Sequence, residues 1–198
     1  MEGGAFTPPP FHSLQEVFMA FERLNRTILH TGRVFTVAQH TLRLPNGKSQ
    51  TYDLVEHEGA VTILPLDEAG NIWFVRQYRL GAERSLLELP AGVLHAGEDP
   101  LEGAAREVRE EIGMAARTLK RLGGFFMAPG YSTEYMHVFL ATGLTPAPLP
   151  QDEDEFIERV SLPFQEALAM AQRGELEDGK TLVALFLALP ELTGEHFE

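Results

Sequence analysis

The part of this sequence that most constrains its fold is the run of residues 92–114, GVLHAGEDPLEGAAREVREEIGM, in which a glycine-rich loop leads into a segment crowded with glutamates. The run fits the pattern G-x5-E-x7-R-E-U-x-E-E-x-G-U, in which U is an apolar residue, at every specified position. With average residue frequencies, a chance match somewhere in a chain of this length has a probability well below about one in a million. The spacing therefore predicts a loop and a helix that are held in one fixed arrangement.

The helix of this run has a predicted start, a predicted end and two unlike faces. Asp99 and Pro100 are typical of a first helical turn, and Gly113 is typical of a helix end. At about 100° per residue, the apolar side chains fall on one face and three carboxylates gather at its edge. The apolar set comprises Leu101, Ala104, Ala105, Val108 and Ile112, and the acidic set comprises Glu107, Glu110 and Glu111.

The acidic edge of the helix predicts a site for a divalent cation. Two carboxylates about 5 Å apart repel each other by roughly 3 kcal/mol at an effective dielectric constant of about 20, so a nearby cation stabilises them. Ligands that are all oxygen atoms favour Mg²⁺, with Mn²⁺ as a second candidate. The alternative is a solvated acidic face on which Arg106 and Arg109 form surface ion pairs. The fixed spacing from Gly92 favours the metal site.

Composition limits the partners of such a site. The formal net charge of −13 argues against a surface for nucleic acid or anionic membranes, which requires clustered lysine and arginine. There is no cysteine, which excludes disulfides and thiolate metal ligands, and no apolar run approaches the length of a membrane span. We therefore expect a soluble cytoplasmic protein whose metal ions mediate the binding of an anionic small molecule.

The first 57 residues predict a module of their own. A short helix is expected after the capping box of Ser13 and Glu16, with an apolar stripe made by Leu14, Val17, Phe18 and Phe21. Apolar residues then alternate at 35–37 and at 42–44 with a change of parity, which predicts a bulge or break near Gln39. A turn at 45–48 and a return strand at 52–57 complete an antiparallel hairpin. We predict this helix and hairpin module at 1–57 and a catalytic domain at 58–198.

The remainder of the chain interleaves strands and helices. Strands are predicted at 60–66, 72–78, 85–89, 119–126, 134–141 and 156–160, and helices near 163–173 and 180–189. Their order lacks a regular βαβ period, so we predict an α/β fold with a mixed sheet between helices. Residues 174–181 match the phosphate-loop pattern G-x4-G-K-T. A helical pattern precedes them and their carboxylates would repel phosphate, so we interpret them as a turn between helices.

The pattern at 92–114 is similar to the signature of the Nudix hydrolases, and residues 32–189 resemble in particular the ADP-ribose pyrophosphatase group. Three further signals carry that resemblance: Leu-Glu-Leu-Pro-Ala-Gly at 87–92, Pro129 sixteen positions after Gly113, and the acidic loop before Phe156. The resemblance implies a Nudix-type α/β/α sandwich preceded by the small antiparallel module. It also implies a homodimer, in which the hairpin modules pair the subunits and each site is formed partly across the interface.

The resemblance further implies roles for individual residues. Arg106 would orient the glutamates, and Glu98 would anchor the loop. The implied metal ligands are the backbone carbonyl of Ala91 and the carboxylates of Glu107 and Glu111, with Glu110 as a further candidate. The implied substrate-binding residues are Arg79 at the diphosphate, Glu134 near the terminal ribose, Phe35 at the adenine, and Val93, Pro129, Gly130 and Ser132. Without the resemblance, Arg79 is equally well an ordinary strand-end charge.

The implied reaction is the Mg²⁺-dependent hydrolysis of the diphosphate bond of ADP-ribose to AMP and ribose 5-phosphate. The base that accepts a proton from the attacking water is expected in the acidic loop 151–155, at Glu153 first and Glu155 second, with Glu110 as the candidate if neither serves. Without the resemblance, this loop is equally well a solvated segment. The alternatives are hydrolysis of another nucleoside diphosphate compound, such as a sugar nucleotide or FAD, and a non-catalytic ligand-sensing Nudix domain. The sensor is disfavoured because all the metal-binding glutamates are present and no basic helix-turn-helix segment is attached.

Overall fold

The computed structural model of this chain describes residues 21–150 and 156–194. The helix expected around Ser13 and Glu16 and the acidic loop with Glu153 and Glu155 lie outside the described residues. Within them the chain forms ten strands and three helices. In chain order these are β1 (Glu22–Thr31), β2 (Thr36–Arg43), β3 (Ser49–Glu56), β4 (Ala60–Pro65), β5 (Asn71–Arg79), β6 (Arg84–Glu88), β7 (Ala91–Val93), α1 (Pro100–Glu111), β8 (Met114–Phe126), β9 (Tyr135–Pro146), β10 (Glu158–Pro163), α2 (Phe164–Gln172) and α3 (Gly179–Thr193).

The first three strands form an antiparallel sheet in the order β1-β2-β3, which has one strand more than the predicted hairpin. The bulge or break expected near Gln39 is wrong for β2 itself, although β1 has a register shift opposite Val37 and Ala38. Gln39 pairs with Thr27 on one side and with Asp53 on the other, and the register between β2 and β3 is unbroken. The irregularities of this sheet lie instead between β1 and β2, where two register shifts leave single β1 residues without a β2 partner.

The apolar alternation of β2 wrongly predicted a change of parity, because one of the inward positions is occupied by a histidine. Ala38 and His40 are both buried, and His40 Nε2 lies 3.0 Å from Glu56 Oε1 on β3. A hydrogen bond from Arg26 lowers the pKa of Glu56 to about 2, so its carboxylate is charged at neutral pH. His40, a polar residue with a carboxylate partner, thus continues the inward face of the strand. Hydrophobicity alone does not reveal this continuity.

The remaining strands form two sheets between helices, which confirms the predicted α/β/α arrangement with a mixed sheet. One sheet has the order β7-β4-β9-β8, with β4 parallel to β9 and the other pairs antiparallel, and the second has the order β10-β5-β6. On one side α1 packs Ala104, Val108 and Ile112 against Val61 and Ile63. On the other side α2 and α3 cover an apolar cluster that includes Leu64, Phe74, Phe164, Ala184 and Leu185.

The ends of several elements differ from the sequence prediction. β8 and β9 are longer than expected because they pair with each other from Met114 and Pro146 inward. β10 extends to Pro163 because it pairs along β5. Residues 174–178 join α2 to α3, and Asp178 caps α3, which confirms the interpretation of this part of the match as a turn between helices. Residues 179–181 form the first turn of α3. No described helix is both long enough and apolar enough to span a membrane.

The packed face of α1 is rotated relative to the prediction. Leu101 and Ala105 are exposed instead of buried. A Cβ atom on Gly103 would stand 2.6 Å from Leu94, so the helix lies close to the loop that precedes it. The helix therefore turns two of its carboxylates toward the protein. Its buried residues are Gly103, Ala104, Glu107, Val108 and Glu111.

Candidate active site

The loop before α1 is fixed by Glu98. Its Oε2 accepts a hydrogen bond from the backbone N–H of His95 at 2.9 Å, and its two oxygens accept from Arg106, at 3.0 Å from Nε and 3.1 Å from Nη2. Asp99 caps the helix by accepting from the N–H of Leu101 at 2.8 Å. The hydrogen bonds from Arg106 lower the pKa of Glu98, although burial opposes them. The Glu98 carboxylate is therefore charged at neutral pH and ties the loop to the helix.

The Arg106 guanidinium connects the carboxylates of the helix. Its Nη1 donates to Glu107 Oε1 at 2.5 Å and to Glu110 Oε2 at 2.9 Å, and its Nη2 donates to the carbonyl of Val93 at 3.3 Å. The pKa of Arg106 is raised above its usual value, most by Glu98 and further by Glu107 and Glu110. Arg106 thus supplies one positive charge among three carboxylates.

Two further contacts bring α1 onto the backbone at Ala91 and Gly92. A Cβ atom added to Gly92 would stand 1.9 Å from Glu107 Oε1, so only glycine admits this carboxylate. The N–H of Ala91 donates to Glu111 Oε2 at 3.0 Å. Arg159 Nε donates to the backbone carbonyl of Glu111 at 2.8 Å and fixes the end of the helix. Two buried carboxylates therefore converge on one dipeptide.

These carboxylates fit a hard divalent cation by the chemistry of their donors. All the donors are oxygen atoms, which Mg²⁺ and Mn²⁺ prefer, and two buried carboxylates that converge require a compensating positive charge. Within residues 21–150 and 156–194, no group of three or more His, Asp or Glu side chains is arranged as a ready-made metal site. Arg106 supplies positive charge to Glu107 and Glu110 in this arrangement.

A cavity of about 560 Å³ opens beside Ala91 and Gly92. Pro129 and Gly130 belong to a loop at its edge but are not among the described residues that line it. Glu107 and Glu111 of α1 contact this dipeptide but are not among the described residues that line the cavity. The predicted site residues that the cavity brings together are Phe35, Arg79, Ala91, Val93, Ser132 and Glu134. Its lining also includes His57, Met127, Tyr131, Asp178 and Lys180.

The N-terminal sheet holds one wall of this cavity in place. The N–H of Val55 on β3 donates to the carbonyl of Tyr131 at 2.8 Å, and the N–H of Thr133 donates to the carbonyl of Val55 at 2.9 Å. Within the same loop, the N–H of Glu134 donates to Ser132 Oγ at 3.1 Å. The positions of Ser132 and Glu134 therefore depend on pairing between the loop and β3.

Arg79 is not an ordinary strand-end charge. Its guanidinium donates two hydrogen bonds to Glu88, from Nε to Oε1 at 2.8 Å and from Nη2 to Oε2 at 2.6 Å. The side chain of Glu88 is 1% exposed, whereas that of Arg79 is 40% exposed and lines the cavity. Burial raises the pKa of Glu88, but hydrogen bonds from Arg79 and the charge of Lys180 lower it by more, so its pKa lies below the usual value.

Sequence reasoning missed Glu88, Asp178 and Lys180. Lys180 Nζ, on a buried side chain, donates to Glu88 Oε2 and, at 2.9 Å, to Asp178 Oδ1. The available signal was the place of Glu88 inside the apolar segment Leu-Leu-Glu-Leu at 86–89, because a carboxylate buried in a strand requires cationic partners. No local pattern identifies a lysine 92 positions later as that partner.

This chain is similar in sequence and in fold to several known proteins. The family model of the NUDIX domain matches residues 56–185. An ADP-ribose pyrophosphatase of Bacillus subtilis (strain 168) is 37% identical over 182 residues, covering 90% of this chain and 96% of that protein. An ADP-ribose pyrophosphatase of Mycobacterium tuberculosis is 40% identical over 177 residues, covering 88% of this chain and 86% of that protein. The crystal structure of an ADP compounds hydrolase superposes with a TM-score of 0.77 at 30% identity, covering 88% of this chain and 95% of that one.

Proposed function

Because this chain belongs to the Nudix hydrolase family, we propose that it hydrolyses the diphosphate bond of ADP-ribose and releases AMP and ribose 5-phosphate. One observation carries the proposal: Glu107 and Glu111 of α1 converge on the dipeptide at 91–92, which also lines the cavity. The acidic cluster and the space for a substrate are therefore adjacent. The two ADP-ribose pyrophosphatases, at 37% and 40% identity, support ADP-ribose as the substrate.

We propose Mg²⁺ as the cofactor, with Mn²⁺ as a substitute. When bound, the cation stabilises negative charge on phosphate oxygens and lowers the pKa of an attacking water. Arg106 keeps the helix carboxylates in place through its hydrogen bonds to Glu107 and Glu110. The residues that would hold the cation are Ala91, through its backbone carbonyl, and Glu107, Glu111 and Glu110, through their carboxylates.

We propose that different residues of the cavity bind different parts of the substrate. Arg79 would bind the diphosphate, because its guanidinium is partly exposed at the cavity. Glu134 would contact the terminal ribose, and Phe35 would pack on the adenine. Val93 and Ser132 would complete the wall, with Pro129 and Gly130 shaping the loop beside it. A volume of about 560 Å³ falls within the roughly 300–1,000 Å³ that is typical of small-molecule sites.

Composition supports a small molecule, rather than nucleic acid or a membrane, as the partner of this site. The formal net charge of −13 would repel a polyanion or an anionic bilayer. We propose the cytoplasm as the compartment, because a chain without cysteine gains no disulfides from an oxidising one.

A panel of nucleoside diphosphate compounds tests the proposed function directly. The purified chain is incubated with Mg²⁺ and ADP-ribose, several sugar nucleotides or FAD, and released nucleoside monophosphate is measured. We expect ADP-ribose to give the highest kcat/KM. A preference for a sugar nucleotide or FAD would change the substrate but not the reaction. Binding of a panel compound without turnover of any would point to a ligand sensor and would refute the proposed function.

We propose that the base comes from the acidic loop 151–155, with Glu153 as the first candidate and Glu155 as the second. A residue that only binds the metal and a residue that accepts the proton respond differently to Mg²⁺. A Glu153→Gln variant would regain its rate at high Mg²⁺ in the first case and would not in the second, and we expect no recovery. If both glutamine variants keep the wild-type kcat at saturating Mg²⁺, Glu110 becomes the candidate base.

We propose that the N-terminal sheet pairs two subunits into a homodimer. β1 lies at the edge of its sheet, and all of its residues are exposed. An exposed apolar edge strand favours pairing with another chain. The start of the family model at residue 56 also supports a boundary between a module at 1–57 and a catalytic domain at 58–198. The exposed apolar residues of this region include Phe21, Leu24, Ile28 and Leu29.

Light scattering is expected to give twice the chain mass of 22.0 kDa at micromolar concentration. An Ile28→Asp variant should shift the mass toward that of one chain, because it places a charge on the apolar surface of β1. Leu80→Asp is the matched control: Leu80 is 80% exposed and lies outside the N-terminal sheet, so this variant should keep the wild-type mass. A wild-type protein with the mass of one chain would contradict the proposed dimer.

A further inference from the structure

We propose that Lys180 is a positioning residue of the active site, which neutralises Glu88 so that Arg79 remains available to the diphosphate of the substrate. The proposal rests on the proposed function, because it takes Arg79 as the residue that binds the diphosphate. It assigns a task to the lysine of the G-x4-G-K-T match at 174–181, which lies in the first turn of α3 and binds a carboxylate instead of a phosphate.

The contact between Arg79 and Glu88 creates the need for a second cation. The guanidinium binds both carboxylate oxygens, an arrangement that holds an arginine strongly. The Glu88 side chain is almost completely buried, at 1% exposure. If Arg79 were its sole partner, any movement of the guanidinium toward the diphosphate would leave a buried carboxylate unpaired, which is strongly unfavourable. A lone Arg79 would therefore be retained by Glu88.

Lys180 supplies the second cation from a position that the fold fixes. Its ammonium group contacts Glu88 Oε2 and donates to Asp178 Oδ1 at 2.9 Å, and its side chain is 9% exposed. Asp178 is in turn held by the first turn of α3, where Oδ2 accepts from the N–H of Thr181 at 3.0 Å and from its hydroxyl at 2.6 Å. The two positive charges of Arg79 and Lys180 therefore balance the two negative charges of Glu88 and Asp178. When Arg79 engages the diphosphate, Glu88 keeps one cationic partner.

The first turn of α3 also fixes the end of β6, which leads into the glycine-rich loop that begins at Gly92. The hydroxyl of Thr181 accepts a hydrogen bond from the N–H of Leu89 at 2.8 Å. Leu89 precedes Pro90 and Ala91, and the N–H of Ala91 contacts Glu111. The first turn of α3 therefore holds both the side chain at position 88 and the backbone next to it. Lys180 also lines the cavity, but its side chain is 9% exposed and its ammonium contacts Glu88 and Asp178, so we expect it to act on Arg79 through Glu88 rather than on the substrate itself.

The first experiment replaces Lys180 and measures KM and kcat separately. With the best substrate of the panel at saturating Mg²⁺, Lys180→Met is expected to raise KM by about tenfold and to leave kcat within about threefold, since binding of the diphosphate is lost in ground state and transition state alike. Lys180→Arg keeps the positive charge and should restore most of the affinity. Thermal unfolding is measured in parallel, so that a loss of folded protein is not mistaken for a loss of affinity.

Glu177→Gln is the matched control. Glu177 binds Arg84 Nη2 at 2.7 Å, so this exposed pair also links β6 to the segment before α3, but neither residue lines the cavity. Loss of this ion pair should weaken the contact between β6 and the segment before α3 without changing KM or kcat. A KM increase in Glu177→Gln similar to that in Lys180→Met would mean that any loosening of α3 suffices, and it would overturn the proposal.

A double variant separates action through Glu88 from direct contact with the substrate. In a Glu88→Gln background the carboxylate that accepts both hydrogen bonds from Arg79 is absent, so adding Lys180→Met should change KM by less than about twofold. In this double variant Asp178 loses its ammonium partner, but its side chain is 12% exposed and still accepts hydrogen bonds from the N–H and the hydroxyl of Thr181, which favours folding. A tenfold effect of Lys180→Met that persists in this background would show direct binding of the substrate by Lys180 and would overturn the positioning role.

The outcomes also distinguish this inference from the proposed function. A wild-type KM in folded Lys180→Met would overturn the inference and leave hydrolysis intact. A wild type that turns over no panel compound would refute the proposed function. In that case calorimetric affinity for ADP with Mg²⁺ in the same variants still decides the role of Lys180, because ADP carries the diphosphate. Equal affinity of wild type and Lys180→Met for ADP would then overturn it.

Discussion

Glu111→Gln is expected to lower kcat by about 10²- to 10³-fold at saturating Mg²⁺ and to leave the protein folded. The substitution removes one of the two buried negative charges that converge on Ala91 and Gly92, and a neutral amide is a weaker ligand for Mg²⁺ than a carboxylate. The amide oxygen can still accept from the N–H of Ala91, and a neutral group is less costly to bury than a charged one. Steady-state rates and a thermal unfolding curve measure both effects.

Glu102→Gln provides the control for this prediction. Glu102 lies in the first turn of the same helix and is exposed, so the variant makes the same chemical change on α1 without touching the acidic cluster. It should keep kcat within about twofold of wild type, as surface substitutions away from a site do. Near-normal activity of Glu111→Gln with Mg²⁺ would remove Glu111 from the proposed metal ligands and would weaken the proposed role of Glu107 as well.

The sequence predicts the site well where a local pattern determines the backbone. Asp99 and Pro100 begin α1 and Gly113 follows its end, because capping and the left-handed turn depend on residues within a few positions of each other. The face of the helix was less predictable. Leu101 is exposed although it is apolar, since the close approach of Gly103 to Leu94 sets the rotation of the helix.

The charge network beside the cavity could not be predicted from local patterns. Arg79, Glu88 and Lys180 come from β5, β6 and α3, and their contacts depend on how the sheets and helices pack. A glutamate within an apolar strand indicates that its buried carboxylate needs a cationic partner. It does not say which of the 16 lysines and arginines in the chain provides it. Partner choice is a property of the tertiary structure.

β1 illustrates a different limit of sequence reasoning. All of its residues are exposed, so it has no alternation of buried and exposed side chains from which a strand could be predicted. Its conformation comes from pairing with β2, and strand formation generally depends more on such pairing than on intrinsic preference. The same exposure supports the proposed contact with a second subunit, because the strand covers little of its own chain.

Gly92→Ala is expected to lower kcat by about 10²-fold or more, because a displacement of roughly 1 Å at a catalytic group has effects of this size. The added Cβ would stand 1.9 Å from Glu107 Oε1 and 2.0 Å from Glu107 Cδ, so the carboxylate has to leave its place against the loop. Such overpacking typically destabilises a protein by about 1–3 kcal/mol, which corresponds to a midpoint roughly 2–12 °C lower for a chain of this size. Gly81→Ala is the control, since a Cβ there meets nothing within 4 Å.

A double variant decides whether the collision with Glu107 causes the loss of stability in Gly92→Ala. In a Glu107→Ala background the colliding carboxylate is absent, so Gly92→Ala should no longer lower the thermal midpoint, although activity stays lost because a proposed metal ligand is missing. If Gly92→Ala lowers the midpoint equally in both backgrounds, the loop at Gly92 requires glycine for a reason other than Glu107. Full activity of the single variant would contradict the close seating of Glu107 against the loop, because no arrangement that keeps the carboxylate in place has room for the added methyl group.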